Sequence, residues 1–298
     1  MISMHEKDTL HRFILEHTHV RGERVQLNAT WQAVLERYNY PDNVERILGE
    51  AFAACALLSA TIKYEGSLIL QIRGDGPLHL LVVQATSAGT LRGLARYKGD
   101  VPEQGLNAIF GEGQMVMTIE PPEGEPYQGI IALQGEHIKD AIENYFLQSE
   151  QLNTRLWLAS DHQQCAGFLL QELPQTSSHP TAQTQRENSW EHALHLADTI
   201  KPEELLTLPT EQILHRLFHE DDVRLFEAAP LRFSCACSHE RIGKMILALG
   251  QAEAREIIHE QGKIQVDCEF CNAQYRFNKQ ETEQLFSDNN TSPSTTHH

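Results

Sequence analysis

Helical periodicity is clearest in the stretch that follows Pro41 and Asp42. Apolar side chains recur there at i, i+3 and i+4 positions, which is the spacing of a helix packed deeply in a core. These positions are Val44, Ile47, Leu48, Ala51, Phe52, Cys55 and Leu58. Shorter helices are predicted over residues 31–38, where Thr30 is the expected cap, and around residues 137–149.

Strand-like segments dominate the rest of the chain before Pro174. Residues 68–72 and 78–83 flank the turn Arg73-Gly74-Asp75-Gly76-Pro77, in which the glycines supply positive φ angles. Further strand-like runs cover residues 91–97, 114–120, 127–133, 154–159 and 165–173. Many strands with few long helices favour an α+β domain, with β-sheets packed against helices, over residues 1–175.

The composition changes after Pro174. Residues 175–188 are polar and contain no large aliphatic side chain, which is typical of a linker. Short helices are then predicted at residues 190–197, 202–206 and 209–218, and none of them is long enough to be stable alone. The same part of the chain is rich in acidic residues: Glu203, Glu204, Glu211, Glu220, Asp221, Asp222 and Glu227.

Four regions are predicted from these patterns. Residues 1–175 form the α+β domain, residues 176–232 form a metastable helical linker, and residues 233–287 form a small C-terminal domain. Two helices, at residues 239–249 and 252–259, and a hairpin over residues 263–277 are expected within this last domain. Residues 288–298 are expected to be a disordered tail.

Composition and charge exclude several classes of protein. Of the 298 residues, 41% are hydrophobic and 22% are charged, which argues against wholesale disorder. The 24 basic and 41 acidic residues give a net charge of −17, which repels phosphate backbones, so no nucleic-acid partner is expected. No apolar run approaches the roughly 18 residues of a membrane-spanning helix, and the N-terminus lacks a secretory signal pattern. We therefore expect a cytoplasmic protein with no membrane partner.

The placement of the cysteines indicates the candidate chemistry of the chain. Six cysteines in a reducing compartment are more typical of metal ligands or redox groups than of structural disulfides. Cys235 and Cys237 form a C-x-C motif, and Cys268 and Cys271 form a C-x-x-C motif thirty residues later. Residues i and i+2 of an extended segment point to one side, and C-x-x-C can fold around an ion in a turn. Four thiolates suit one tetrahedral Zn²⁺ and leave no position for water, which argues against hydrolytic zinc catalysis.

Two roles for such a metal ion remain open at this point. It can be a purely structural metal ion that stabilises a C-terminal domain too small to fold without it. It can also be a redox switch, because each cysteine pair is close enough in sequence to close as a local disulfide. Oxidation would then withdraw about 10–16 kcal/mol of metal-binding free energy from the folded domain. That exceeds the few kcal/mol by which small domains are stable.

Four stretches outside the cysteine cluster are informative when compared with known families. They are Val20-Arg21-Gly22-Glu23, Gly74-Asp75-Gly76-Pro77-Leu78, Tyr145-Phe146-Leu147-Gln148-Ser149-Glu150-Gln151 and Glu203-Glu204-Leu205-Leu206-Thr207-Leu208-Pro209. Together with the C-x-C and C-x-x-C spacing, they resemble the redox-regulated heat shock protein 33 chaperones, a holdase family of the bacterial cytoplasm. The resemblance covers nearly the whole chain, and the cysteine spacing is its most specific part.

The resemblance implies a function and a set of site residues. Cys235, Cys237, Cys268 and Cys271 would bind one zinc ion per chain in the reduced protein and form redox-active disulfides after oxidation. The implied activity is ATP-independent binding of unfolded client proteins during oxidative stress, with a linker that unfolds on activation. A homodimer is the implied active form, and thiol reductants would reset it. No catalytic residue is expected, and the protein is not expected to be an enzyme.

The remaining candidate residues have simpler explanations. Cys55 lies among alanines in the long predicted helix, which indicates core packing, and Cys165 has no partner at a readable spacing. His239 is near the cluster, but four cysteines already complete a tetrahedral site. Gly74-x-Gly76 and Gly111-x-Gly113 complete no phosphate-binding motif, so hairpin turns explain them better. Neither H-E-x-x-H nor G-x-S-x-G occurs in the sequence.

Two alternative functions stand beside the holdase. A thiol–disulfide oxidoreductase would work through Cys268 and Cys271, although such enzymes place C-x-x-C at the start of a helix rather than in a hairpin. A zinc-ribbon adaptor would use the four cysteines only to fold, and a nucleic-acid-binding version of it conflicts with the negative charge.

Overall fold

The computed structural model describes residues 8–62, 64–174 and 180–290. The chain divides into two compact units, Met1–Ser234 and Cys235–His298. Both units contain helices and antiparallel strands, largely in separate runs along the chain, which confirms the predicted α+β class. Within the described residues, no helix combines the length and the apolar character needed to cross a membrane.

The first unit contains two sheets. Sheet A has the order β10-β1-β2-β9-β8, and β11 also pairs with β1; all of these pairs are antiparallel. Its strands are β1 (Thr9–Leu15), β2 (Val20–Leu27), β8 (Thr154–Ser160), β9 (Cys165–Glu172), β10 (Val223–Leu225) and β11 (Ala229–Pro230). The edge of β1 that does not pair with β2 is therefore covered by two short strands from the predicted linker.

Sheet B has the order β12-β5-β4-β3-β6-β7. Its strands are β3 (Ser67–Arg73), β4 (Leu78–Thr86), β5 (Thr90–Tyr97), β6 (Gln114–Glu120), β7 (Tyr127–Ala132) and β12 (Arg232–Phe233). The strand pairs are antiparallel except β12 with β5, which is parallel and places Arg232 opposite Thr90. The strands β3 to β9 lie where the alternating pattern predicts them, with ends that differ by at most three residues.

Helix α2 (Asp42–Thr61) lies between the two sheets. It begins directly after Pro41, and its first turn carries the acidic Asp42 and Glu45, which complement the positive end of the helix dipole. Its buried side chains form one apolar cluster with strands of both sheets. A Cβ atom on Gly93 of β5 would lie 2.6 Å from the ring of Phe52, so glycine is required for this close approach.

Three helices cover the opposite, outer face of sheet A. They are α5 (Pro180–Ala197), α6 (Pro202–Thr207) and α7 (Thr210–Phe218), all within the predicted linker. The ring of Phe13 on β1 lies 5.4 Å from Phe168 on β9 and 6.2 Å from Phe218 of α7, measured between centroids. The linker side chains buried in this second cluster are Ala193, Ala197, Leu205, Leu206, Ile213, Leu214, Leu217 and Phe218.

Three smaller helical elements complete the first unit: α1 (Ala29–Leu35), α3 (Leu106–Phe110), and α4 (Ile138–Tyr145), which continues into a π-helical turn over Phe146–Glu150. The prediction of a helix at 31–38 capped by Thr30 was wrong in its bounds. Thr30 lies inside α1, and its amide donates to Asp8 Oδ2 at 2.8 Å. A carboxylate distant in sequence therefore satisfies the helix start, which a local pattern does not reveal.

The second unit consists of a hairpin and three helices: α8 (His239–Leu249), α9 (Gln251–Gln261), β13 (Ile264–Asp267), β14 (Gln274–Phe277) and α10 (Lys279–Asn290). Its buried apolar core comprises Ile242, Ile246, Ala254, Ile264 and Phe277. The hairpin and the first two helices agree with the predicted elements.

Other elements differ from the sequence prediction. The strands β1, β2 and β10 to β12 were not predicted, and neither were α3 and α10. Helix α5 begins at Pro180, inside the stretch interpreted as unstructured linker, whose residues 175–179 lie outside the described residues. Helix α10 continues to Asn290, so residues 288–290 of the expected disordered tail are helical, and residues 291–298 lie outside the described residues.

A buried carboxyl group lies in the centre of sheet A. Glu23 on β2 is 2% exposed, and its Oε2 has no hydrogen-bond partner among the described residues. Burial raises the pKa of Glu23 from 4.5 to about 7, although the charges of Arg21 and Arg12 oppose this shift. Below about pH 7 the protonated form is therefore favoured in the folded state, and above it the charged form destabilises the fold.

We predict that Glu23→Gln removes the pH-dependent destabilisation that the buried Glu23 carboxylate causes in the folded protein. Because the folded-state pKa lies above the unfolded value, the free energy of unfolding should fall by up to about 3 kcal/mol as pH rises from about 5 to about 8. The variant should therefore be the more stable protein near pH 8 and nearly equal near pH 5. Urea unfolding at both values measures this, with exposed Glu65→Gln as the control. An equal change in the free energy of unfolding between the two pH values in wild type and in Glu23→Gln would contradict the assignment.

Candidate metal centre

Two segments of the second unit bring the clustered cysteines together. Cys235 and Cys237 lie in the extended segment before α8, and the Ser238 hydroxyl accepts a hydrogen bond from the Arg241 amide at 3.1 Å, which caps that helix. Cys268 and Cys271 lie in the turn between β13 and β14. The helix cap and the hairpin thus fix both ends of the cluster.

The four sulfur atoms form one compact group. All four Sγ atoms lie within 4.8 Å of one another. Cys235 approaches Cys268 at 3.6 Å, and Cys237 approaches Cys271 at 3.2 Å. Zinc–sulfur bonds of about 2.3 Å place the corners of a tetrahedron about 3.8 Å apart. The residues therefore fit one tetrahedral metal ion bound by thiolates.

The thiols of the C-x-x-C turn resist ionisation when no cation is present. Burial is the main cause that raises the pKa of Cys268 and Cys271 above the ordinary thiol value, and contact with Cys235 or Cys237 adds to both shifts. Four thiolates at these distances repel one another unless a positive charge lies among them. The cluster is therefore suited to a divalent cation rather than to four free thiolates.

Tyr275 is a contact of the cluster that the sequence analysis missed. Its hydroxyl donates to Cys237 Sγ at 3.0 Å. Cys268 Sγ in turn accepts hydrogen bonds from the amides of Phe270 and Cys271. Tyr275 and Phe277 share one face of β14, so the alternation of the hairpin was the signal that could have identified it.

His239 belongs to the packing of the unit. Its ring stacks on Phe277 with centroids 4.1 Å apart. Among the described residues, the grouping that could hold a metal ion consists of the four cysteines and does not include this histidine. The core around Phe277 is small, and a bound ion would add folding free energy that such a core lacks.

The two remaining cysteines lie in the core of the first unit. Both Cys55 and Cys165 are 0% exposed. Burial raises the pKa of Cys55 to about 12 and raises the pKa of Cys165 well above the ordinary thiol value. Thiols that neither ionise nor meet solvent react slowly. These two cysteines are therefore packing residues.

The glycine-rich turns contact each other through their backbones. The Gly76 amide donates to the Phe110 carbonyl at 2.9 Å, and the Glu112 amide donates to Asp75 Oδ1 at 2.7 Å. A Cβ atom on Gly74 would lie 1.9 Å from the Phe110 carbonyl oxygen. Gly74 and Gly76 lie in the hairpin turn between β3 and β4, as predicted, whereas Gly111 and Gly113 join α3 to β6, so the prediction of a second hairpin turn was wrong.

We predict that Cys237→Ser loses most of the metal affinity. A serine oxygen is a harder and far less acidic ligand than a thiolate, so three sulfur ligands would remain. Metal content per chain after reduction and gel filtration measures the loss, and Cys55→Ala serves as the matched control outside the cluster. Full metal content in Cys237→Ser, or loss in the control, would contradict the assignment.

Comparison with known proteins gives one consistent result. A family described as Hsp33 protein matches residues 8–278. The 33 kDa chaperonin of Nitrosococcus oceani is 49% identical over 98% of this chain and 99% of its own length. That of Pseudomonas savastanoi pv. phaseolicola is 43% identical over 100% of both chains, and that of Shewanella woodyi is 43% identical over 95% and 96%.

The crystal structure of a 33 kDa chaperonin from Thermotoga maritima has a similar fold. Its TM-score is 0.80, and the match covers 96% of this chain and 99% of that chain, at 22% sequence identity. At that identity the likeness concerns the fold alone. The family match and the closely similar full-length relatives show that this chain belongs to the Hsp33 family.

Proposed function

We propose that this protein is a redox-regulated, ATP-independent chaperone that holds unfolding client proteins during oxidative stress. The observation that carries this proposal is the group of four thiols within 4.8 Å, placed in a small unit with few buried apolar residues. A unit of that kind depends on its ligands for folding, so a change in the ligands changes the fold. Membership of the Hsp33 family supports the same function.

Zinc is the metal we propose, one ion per chain in the reduced protein. Cys235, Cys237, Cys268 and Cys271 would hold it, because four soft sulfur ligands in a tetrahedral arrangement select this ion among the common divalent metals. When bound, it supplies the positive charge that keeps the four thiolates together. Tyr275 then serves as a hydrogen-bond donor that orients Cys237.

Oxidation is the proposed trigger. Within each pair, two thiolates lose two electrons and form one S–S bond, while hydrogen peroxide takes up those electrons and two protons and leaves as two water molecules. The pairs are Cys235 with Cys237 and Cys268 with Cys271. Disulfide sulfur no longer carries the charge that a metal site needs, so the folding free energy supplied by metal binding is lost.

Release of the linker is the proposed consequence. The second unit begins at Cys235, and the preceding Ser234 donates its amide to the Leu91 carbonyl at 3.1 Å in sheet B. No spacer separates the linker from the first two thiols. Unfolding of the second unit would therefore free the end of the linker, whose helices α6 and α7 are too short to persist alone. The outer face of sheet A would then present apolar surface to clients.

Further partners follow from the same proposal. The reduced form would be inactive, and the oxidised form would act as a homodimer in the cytoplasm. Thiol reductants of the thioredoxin type would return the disulfides to thiols. The many acidic residues of the linker would keep it dissolved once it has left sheet A.

An oxidoreductase role is less well supported. Cys268 and Cys271 lie in a turn between two strands rather than at a helix N-terminus, where a helix dipole would lower the pKa of the attacking thiol. Burial raises the pKa of both thiols instead. No catalytic residue is therefore proposed.

We predict that the disulfides form within the pairs and that Cys268–Cys271 forms first. The C-x-C ring is geometrically tight, so mild heat should assist the second disulfide. Peptide mapping after timed exposure to peroxide measures the order. A dominant Cys237–Cys271 link, which the 3.2 Å sulfur distance makes reachable, would contradict the pairing.

Chaperone activity before and after oxidation tests the function directly. Oxidised protein should suppress aggregation of a thermally unfolding client, and reduction in the presence of zinc should abolish this without any nucleotide. A Cys55→Ala variant should behave as wild type, because that thiol is buried outside the cluster. Equal activity in the reduced, zinc-loaded protein would refute the switch and return the metal to a structural role.

A further inference from the structure

An arginine is buried beneath the linker. Arg24 on β2 is 1% exposed. Its Nη1 donates to Thr210 Oγ1 at 3.0 Å, and its Nη2 donates to the carbonyl oxygen of Leu208 at 2.5 Å and to that of Leu205 at 3.3 Å. A buried guanidinium must be hydrogen-bonded to offset its loss of hydration. Here the linker provides three acceptors, two of which are main-chain carbonyls.

Gln26 makes the same kind of contact two residues further along β2. Its Nε2 donates to the carbonyl oxygen of Leu206 at 2.7 Å. Leu205 and Leu206 lie in the last turn of α6, and Leu208 follows it. The last four carbonyls of a helix have no partner within the helix. Arg24 and Gln26 therefore satisfy the free carbonyls at the end of α6.

These donors lie within an apolar surface. We call this surface the docking face: it is the outer side of sheet A around Phe13, Val20, Arg24, Gln26, Phe168 and Leu170. The leucine side chains of α6 and α7 pack against it. It thus binds a segment that combines apolar side chains with free main-chain carbonyls. An unfolding protein offers the same combination wherever a helix end frays or a strand leaves its sheet.

We propose that Arg24 binds main-chain carbonyls of a client segment after the linker has left the docking face. This inference rests on the proposed function, and it identifies the chemistry by which clients are held. The linker occupies the position of the client in the resting state, and it shows which groups the face accepts. Because a carbonyl is common to every residue, recognition through Arg24 does not depend on client sequence. The client is an apolar segment with unpaired carbonyls rather than an acidic one.

The test exposes the docking face without oxidation. Leu214 in α7 is buried in the docked linker, so Leu214→Asp should undock it in the reduced, full-length protein. The probe is a fluorescent, uncharged, leucine-rich peptide. Its affinity is compared in Leu214→Asp alone, in Leu214→Asp with Arg24→Leu, and in Leu214→Asp with Arg12→Leu. Arg12 is an exposed arginine of β1 and provides the matched control. Leu217→Asp replaces the background if Leu214→Asp does not fold.

We expect the undocked variant to bind the peptide and Arg24→Leu to weaken binding by about 10- to 100-fold, which corresponds to one charge-assisted hydrogen bond or more. Arg12→Leu should leave the affinity unchanged. Unchanged affinity in Arg24→Leu would overturn the inference, and so would strong preference for an acidic version of the peptide, which would make Arg24 a carboxylate site.

The two proposals fail in different ways. If undocked variants bind no peptide while oxidised wild type still suppresses aggregation, the docking face is not the client site and the inference fails. If oxidised wild type is inactive while undocked variants bind the peptide through Arg24, the redox function fails and the inference stands.

Discussion

Sheet A must be covered on both faces, and the rest of the structure depends on how this is achieved. All eight residues of β9 are buried, and β2 is buried over most of its length. Helix α2 covers one face and lies at the centre of the main core. The other face is covered by the linker, whose helices have 18, 6 and 9 residues; the two shorter ones have little stability of their own. One face of a central sheet thus relies on helices of which two are too short to be stable alone.

The second unit has the complementary weakness. Its buried core is small, and its four thiols are close enough to repel one another once ionised. A divalent cation resolves both problems at once, by compensating charge and by contributing folding free energy. In the proposed function, the same dependence would make the unit sensitive to oxidation, because the ligand atoms would also be its reactive atoms. In the proposed switch, a chemical change in four sulfur atoms is converted into exposure of apolar surface elsewhere in the chain.

Patterns that are local in sequence predicted much of this architecture. Helix α2 follows from its apolar spacing, the strands β3 to β9 follow from alternation, and the four cysteines follow from their spacing alone. The strand β2 was missed because Glu23 and Arg24 are charged residues buried in a sheet, which alternation does not anticipate. The strand β1 was missed because it also buries a polar residue, His11. The burial of Arg24 is explained only by its hydrogen bonds to the carbonyl oxygens of Leu205 and Leu208, which lie about 180 residues later in the chain. Likewise β10 to β12 have two or three residues each and exist only through pairing with β1 and β5.

Hydrogen exchange of the linker, followed together with zinc release in one sample, tests the central claim most directly. In the reduced protein, the amides of α6 and α7 should be less protected than those of β3 and β4, because their stability comes only from docking. After peroxide at mildly elevated temperature, they should lose protection as zinc is released, while β3 and β4 keep theirs. Protection of α6 and α7 equal to that of β3 and β4, before and after zinc release, would contradict the account.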